Sequence, residues 1–274
     1  MKYMLTITTS FLLLFLATPH VFAQGAGIEW DVLNQEVMEL YRAGKYDRAV
    51  IVAKKTLEVA EKNVGPDHPD VATSLNNLAS LFHTQGKYAQ AEPLYKRALA
   101  IREKALGPNH PYVAVSLNNL AELYRAQGKY AQAEPLYKRA LAIKEKALGP
   151  NHPGVAVSLN NLALLYKTQG KYAEAEPLLK RALVIDEKAL GPNHPDVAIR
   201  LNNLAALFDA QGKYAQAEPL YKRALAINEK ALGPNHPEVA INLNNLAALY
   251  RSMKRDKEAK TLQQRAARIR AIQR

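Results

Sequence analysis

Five adjacent asparagine pairs recur every 42 residues along this chain: Asn76-Asn77, Asn118-Asn119, Asn160-Asn161, Asn202-Asn203 and Asn244-Asn245. Asparagine is a poor helix-interior residue because its amide competes for backbone hydrogen bonds, so a pair kept in every copy needs a reason. A carboxamide has two donors and two acceptor sites, enough to pair with both the N–H and the C=O of an extended peptide whatever its side chains are. Around the pairs the chemistry changes from copy to copy. Thr73, Ser80, His83 and Thr84 become Val115, Glu122, Arg125 and Ala126, and the later copies carry Leu164, Lys167 and Thr168, then Ala206, Asp209 and Ala210, then Ala248, Arg251 and Ser252.

A helical advance of 100° per residue puts these changing positions opposite the apolar stripe. Free drift of exposed positions is the plain explanation. Against it, Gln85, Lys96 and Arg97 read as exposed and yet recur nearly unchanged. The pattern therefore points to a binding face, with Arg125, Lys167 and Arg251 as charged readers beside Glu122, and with Leu164, Ala206 and Ala248 shaping apolar or shallow pockets. An extended, partly acidic segment is the expected ligand. The other account leaves both asparagine series tying adjacent copies together.

Other residue types recur without assembling a reaction centre. His68, His110, His152, His194 and His236 appear once per copy. Packed helices stand roughly 8–10 Å apart with two per copy, too far for equivalent imidazoles to share an ion at bonds of about 2 Å. Capping the next helix, or packing on proline, is the expected role. Glu92, Glu134, Glu176 and Glu218 each precede a lysine by four residues and read as surface pairs. A catalytic centre is usually a single constellation in a pocket, so repetition argues for no enzyme, no metal and no cofactor.

The elements that must position these residues follow from one unit. Val71, Leu75, Leu78, Ala79 and Phe82 share one helical face, Pro69 suits a first helical position and Gly86 a left-handed terminator, giving helix A over roughly 69–85. Helix B begins near Tyr88, presents Tyr88, Ala91, Tyr95, Ala98, Leu99 and Ile101, and closes at Gly107. Pro93, repeated as Pro135, Pro177 and Pro219, either bends helix B near its second turn or marks a later start. The spacing of Leu75, Leu78, Ala79, Phe82, Gly86, Tyr88, Ala91, Tyr95 and Ala98 resembles the tetratricopeptide repeat, in the 42-residue kinesin-light-chain-like subclass. Leu75 stands where that repeat usually has Trp, and the closing Pro gives way to a GPNHP linker.

The resemblance implies an all-α, right-handed α-solenoid of antiparallel two-helix hairpins. It also implies that the second asparagine of each pair, Asn77, Asn119, Asn161, Asn203 and Asn245, lies on the concave surface and grips ligand backbone.

The ends differ from the middle. Residues 1–23 read as a signal peptide: Lys2 supplies the charge, Phe11–Ala17 the short apolar core, and Val21-Phe22-Ala23 a cleavage site. Residues 24–64 form a degenerate capping unit with Trp30 packed on the next helix, 65–232 four near-identical units, and 233–274 a divergent terminal unit. The last helix carries Lys257, Lys260, Arg265, Arg268, Arg270 and Arg274. The chain has 37 basic and 25 acidic residues, so loss of Lys2 with the signal leaves 37 − 25 − 1 = +11. That bias favours acidic proteins or an anionic surface at the basic helix, while the export signal argues against nucleic acid. With no cysteine, neither disulfides nor a lipoprotein anchor is available.

The expectation is an exported, periplasmic or secreted, non-enzymatic scaffold with no transmembrane segment once the signal is gone. It would bind a protein or peptide in its groove. Self-assembly through the ends, or service as an accessory subunit of an envelope enzyme complex, is the alternative.

Overall fold

The computed structural model describes residues 26–272, which carry twelve α-helices and no strand. The signal reading of residues 1–23, and Arg274, lie outside the described residues. Two compact units divide the chain near residue 147. The first holds α1 (Ile28–Arg42), α2 (Tyr46–Val64), α3 (Pro69–Thr84), α4 (Tyr88–Leu106), α5 (Pro111–Ala126) and α6 (Tyr130–Leu148). The second holds α7 (Pro153–Thr168), α8 (Tyr172–Leu190), α9 (Pro195–Ala210), α10 (Tyr214–Leu232), α11 (Pro237–Ser252) and α12 (Asp256–Ile272).

Local chemistry sets the helix limits. Each long-repeat A helix starts with proline at its first position, where a missing N–H costs no bond. The preceding histidine caps it: His68 Nδ1 accepts from the Asp70 N–H at 3.2 Å, and His110, His152, His194 and His236 do the same. This is the capping role expected of them. The A helix ends where Gly86 turns left-handed at φ 72°, letting the Lys87 N–H reach back to the Phe82 carbonyl. In the final hairpin Lys254 takes that conformation at φ 60° with a Cβ that resists it. Helix α4 begins at Tyr88 with Pro93 inside it, so of the two readings of that proline the continuous helix is the observed one.

Helices pair as antiparallel hairpins, and hairpins stack. Within the first unit α3 packs on α4 and on the preceding α2; within the second, α9 packs on α10 and on α8. Successive A helices also touch, α3 with α5 and α7 with α9. At each junction the A-helix residues of the expected stripe meet the end of the B helices. Trp30, Val71, Ala72, Leu75, Ala98 and Ile101 form one such core, and Val197, Ala198, Leu201, Ala224 and Ile227 another. Trp30 also donates its indole N–H to Ser74 at 2.8 Å, the packing on the next helix expected of it.

Beside each apolar core lies a buried polar contact that differs between junctions. Between α4 and α5 Arg102 donates to the Ser116 hydroxyl at 2.9 Å, and burial lowers its pKa to about 10. Between α8 and α9 the corresponding pair is Asp186 and Arg200, joined at 2.8 Å and almost sealed from solvent. Between α10 and α11 the places are taken by Asn228 and Asn242, both buried, with Asn242 donating to the Ala224 carbonyl. Reading each helix as one apolar and one wet face does not anticipate these pairs.

Candidate peptide-binding surface

The asparagine pairs sit mid-way along the A helices, where A helix meets A helix. Asn119 Nδ2 donates to Asn76 Oδ1 at 2.8 Å, and Asn203 Nδ2 to Asn160 Oδ1 at 2.7 Å. The ladder reaches the degenerate first hairpin, where Asn77 donates to Asn34 at 3.2 Å. It changes at the last copy, where Asn202 donates instead to Asn242 and Asn244 to its own helix at Ala240. At the Asn76–Asn119 and Asn160–Asn203 junctions the series interlock, the first asparagine of one copy accepting from the second asparagine of the next, whereas the Asn202 Oδ1 accepts from no described residue. Asn77 and Asn203 are nearly sealed, and Asn119, Asn161 and Asn245 are half-buried. Asn119 uses one amide hydrogen in its ladder bond, which leaves it bonding capacity on its exposed edge.

The changing positions are placed differently from the expectation. Ser80 is 3 % exposed and Leu164 5 %, and Ala206 is buried too. They face the B helix of their own hairpin, because an A helix packs against neighbours on more than one side. Ser80 shares a hydrogen bond of 2.8 Å with the Tyr95 hydroxyl. Tyr137 donates to Glu122 at 2.7 Å, and Arg125 closes on the same carboxylate through two contacts. Leu164 stands at the position facing Leu179, so that layer is apolar. Glu122 and Leu164 are thus largely occupied inside the hairpin.

The charged column, His83, Arg125, Lys167, Asp209 and Arg251, shows a graded environment. Burial lowers the His83 pKa. Burial also works against the Arg125 charge, but the hydrogen bond and charge of Glu122 outweigh it and raise the pKa. Lys167 is half-buried and drops to about 8, mainly through desolvation, with Asp209 opposing. Burial raises Asp209. Arg251 is exposed and bonds to the Gln263 amide.

The recurrent surface residues have structural occupations. Arg97, Arg139, Arg181, Arg223 and Arg265 each donate to the carbonyl of the linker proline of their own copy. Arg97 also pairs with Glu61 at 2.7 Å, and Lys96 with Glu92 as expected. Their constancy is thus explained by packing, and it no longer serves as the yardstick against which variation on the A helices signals binding. The glutamates Glu134, Glu176 and Glu218 likewise pair with lysines four residues on. In the basic last helix Arg265 pairs with Glu229, while Lys257, Lys260, Arg268 and Arg270 face solvent.

The family model for the tetratricopeptide repeat matches residues 38–104, 85–146, 112–188, 155–230 and 210–271. The chain is a tetratricopeptide repeat protein. A kinesin-light-chain-like protein of Podospora anserina built of nearly identical TPR-like repeats is 30% identical over 76% of this chain and 98% of its own, with TM-score 0.62. BtubC (BKLC) from P. vanneervenii is 27% identical, covering 88% of this chain and 92% of its own, with TM-score 0.64. A Rap protein complexed with Competence and Sporulation Factor shares the fold at 17% identity, covering 90% and 76%, with TM-score 0.63. No curated protein matches the sequence.

The kinesin-light-chain-like tetratricopeptide repeat and the all-α hairpin class are therefore as the sequence implied. Tetratricopeptide repeats are in general scaffolds for protein–protein interaction, and unrelated tasks share the fold, so the site must carry any finer statement. No described helix is long and apolar enough to cross a membrane.

Proposed function

We propose that this tetratricopeptide repeat protein is an exported, non-enzymatic scaffold that holds an extended protein segment along the row of A helices. The observation that carries this is the recurrence of an asparagine pair in every copy, bonded from copy to copy at Asn76–Asn119 and Asn160–Asn203, beside positions whose charge changes hairpin by hairpin, through Arg125, Lys167, Asp209 and Arg251. Amide edges suit a repeating backbone, and a column of changing charge suits one order of side chains. Export rests on the composition of residues 1–23 and is checked by fractionating cells that express the tagged chain.

The binding test uses the half-buried asparagines, since Asn203 is committed to its ladder bond. A variant with Asn161→Ala, Asn245→Ala and Arg251→Ala should capture no partner from envelope and secreted material while melting like wild type. Equal capture by both proteins refutes the groove.

A second reading has its own observation. Ile28 is 76% exposed and Val32 59% on α1, and Ile272 is 66% exposed on α12. Apolar side chains left open on the terminal helices fit end-to-end assembly. Sedimentation of wild type against an Ile28→Glu, Val32→Glu variant tests it, and concentration-independent monomer in both rejects it.

A further inference from the structure

Within each unit the B helix of one hairpin packs on the A helix that follows it: α2 on α3, α4 on α5, α8 on α9 and α10 on α11. Two faces stand outside that series. Among the described residues α1 has no B helix before it and α12 has no A helix after it. Positions sealed in the middle of the array are open there. Asp70, Ser74, Leu78 and Leu81 are buried in α3, whereas Ile28, Val32, Glu36 and Glu39, 42 residues earlier, are exposed on α1. On α12 Lys260 stands where Glu92 and Glu218 accept from the tyrosine of the next A helix. Arg270 is exposed where Arg102, Asp186 and Asn228 are buried.

The two open helices carry opposite charge. On α1, Glu29, Asp31, Glu36 and Glu39 stand against Arg42, a net −3; on α12 five basic residues stand against Asp256 and Glu258, a net +3. The ten helices between them lie between −1 and +2. A terminal hairpin needs only a wet outer face, and either sign serves that need. Nor does the helix dipole account for these charges. It favours acids at the start of a helix and bases at its end, yet Glu36 and Glu39 lie in the second half of α1 and Lys260 near the start of α12. Both helices also leave apolar side chains open, Ile28 and Val32 on α1 and Ile272 on α12.

We infer that the partner of both faces is a second copy of this chain docked head to tail, with α12 of one molecule against α1 of the next. The contact rests on the end-to-end assembly reading and deepens it, fixing which end meets which and making opposite charge the selecting force. Glu36 and Glu39 attract Lys260 and Arg270, while two α1 faces or two α12 faces repel each other. Such a contact is heterologous, so it propagates into a ring or a filament rather than stopping at a symmetric dimer.

Sedimentation velocity of the expressed protein at about 0.02 M and about 0.5 M salt reads the contact, since the screening length falls from roughly 20 Å to about 4 Å over that range. Wild type should associate with rising concentration at low salt, and about tenfold or more weakly at the higher salt. Two variants reverse one end each: Glu36→Lys with Glu39→Lys, and Lys260→Glu with Arg270→Glu. All four residues are exposed, so both variants should keep wild-type helicity, and each alone should be monomeric at low salt. Mixed in equal amounts they should associate again, because the acidic α12 of one then meets the basic α1 of the other.

Association that survives both reversals and the higher salt overturns the head-to-tail contact and leaves an apolar end-to-end assembly standing. Variants that stay apart when mixed overturn it too, since neither end then answers to the other. If a reversal costs helicity, the wild-type salt response decides alone, and association undiminished at the higher salt overturns the contact. Wild type that stays monomeric at low salt overturns the contact and the assembly reading together, while the groove keeps its separate test.

Discussion

Cutting the Asp186–Arg200 contact is the sharpest test of how the hairpins are held together. Asp186 and Arg200 are 1% and 7% exposed at their side chains and 2.8 Å apart, and the second Asp186 oxygen, Oδ1, has no hydrogen-bond partner among the described residues. Burial raises the Asp186 pKa while Arg200 opposes it, so the carboxylate depends on that one guanidinium. Removing one member of a buried pair strands the other, at a cost of about 3–5 kcal/mol. Arg200→Ser installs the residue found at Ser116 and Ser158, and so removes the charge without introducing a foreign shape.

Because each hairpin contacts only its neighbours, that loss should appear at the α8–α9 junction rather than across the whole chain. Hydrogen exchange in α8 and α9 should accelerate by about 100-fold or more, the factor corresponding to roughly 3 kcal/mol. Urea melts followed by helicity should show an earlier phase. The compensating double variant, Asp186→Asn with Arg200→Asn, imports the residues of the next junction and should recover most of the stability. A cost of Arg200→Ser below about 1 kcal/mol, or a double variant as damaged as the two single changes added together, would refute the reasoning.

Three smaller predictions follow from particular residues. Lys254→Gly relieves the left-handed backbone at φ 60° and should stabilise the last hairpin by about 1 kcal/mol in urea unfolding; no gain means the strain is absent. His110→Ala removes the acceptor for the Tyr112 N–H and should cost about 1 kcal/mol, checked by the same assay and partly restored by His110→Asp. Burial holds Lys167 at about 8, below the ordinary lysine value of 10.5, so the unfolded chain binds more protons between those pH values and wild-type stability rises with pH across them. Lys167→Met should flatten that part of the profile, and an unchanged slope counts against the burial of the ammonium.

The hairpin limits were legible in the sequence because proline and glycine punctuate them: Pro69, Gly86 and Gly107 each have a conformational reason to stand where they do. The apolar stripe was legible as well, from Val71 to Phe82. What failed was the division of helix A into one inner and one outer face. Ser80 and Leu164 face the partner helix, and Asn77 and Asn203 lie against adjacent A helices, so a single wheel assigns them to water. Arg102, Lys144 and Asp186, charged residues on the B helices outside the apolar stripe, are buried as well.

A signal for them was present. Position pairs 14 residues apart change together between copies, as Arg102 with Ser116, Asp186 with Arg200 and Asn228 with Asn242. The 15-residue offset from Ser80 to Tyr95 holds the same information for the hairpin interior.

Near-identical tandem segments invite recombination that drops or adds a copy, and most such events would leave every helix intact. The junction contacts make the outcome unequal. Excision of residues 191–232 would bring the buried Asp186 against Asn242, a carboxylate deprived of the guanidinium that the parent chain keeps beside it. The order of the hairpins is thus inherited as a physical requirement, and the sequence of groups displayed along the A helices is protected with it.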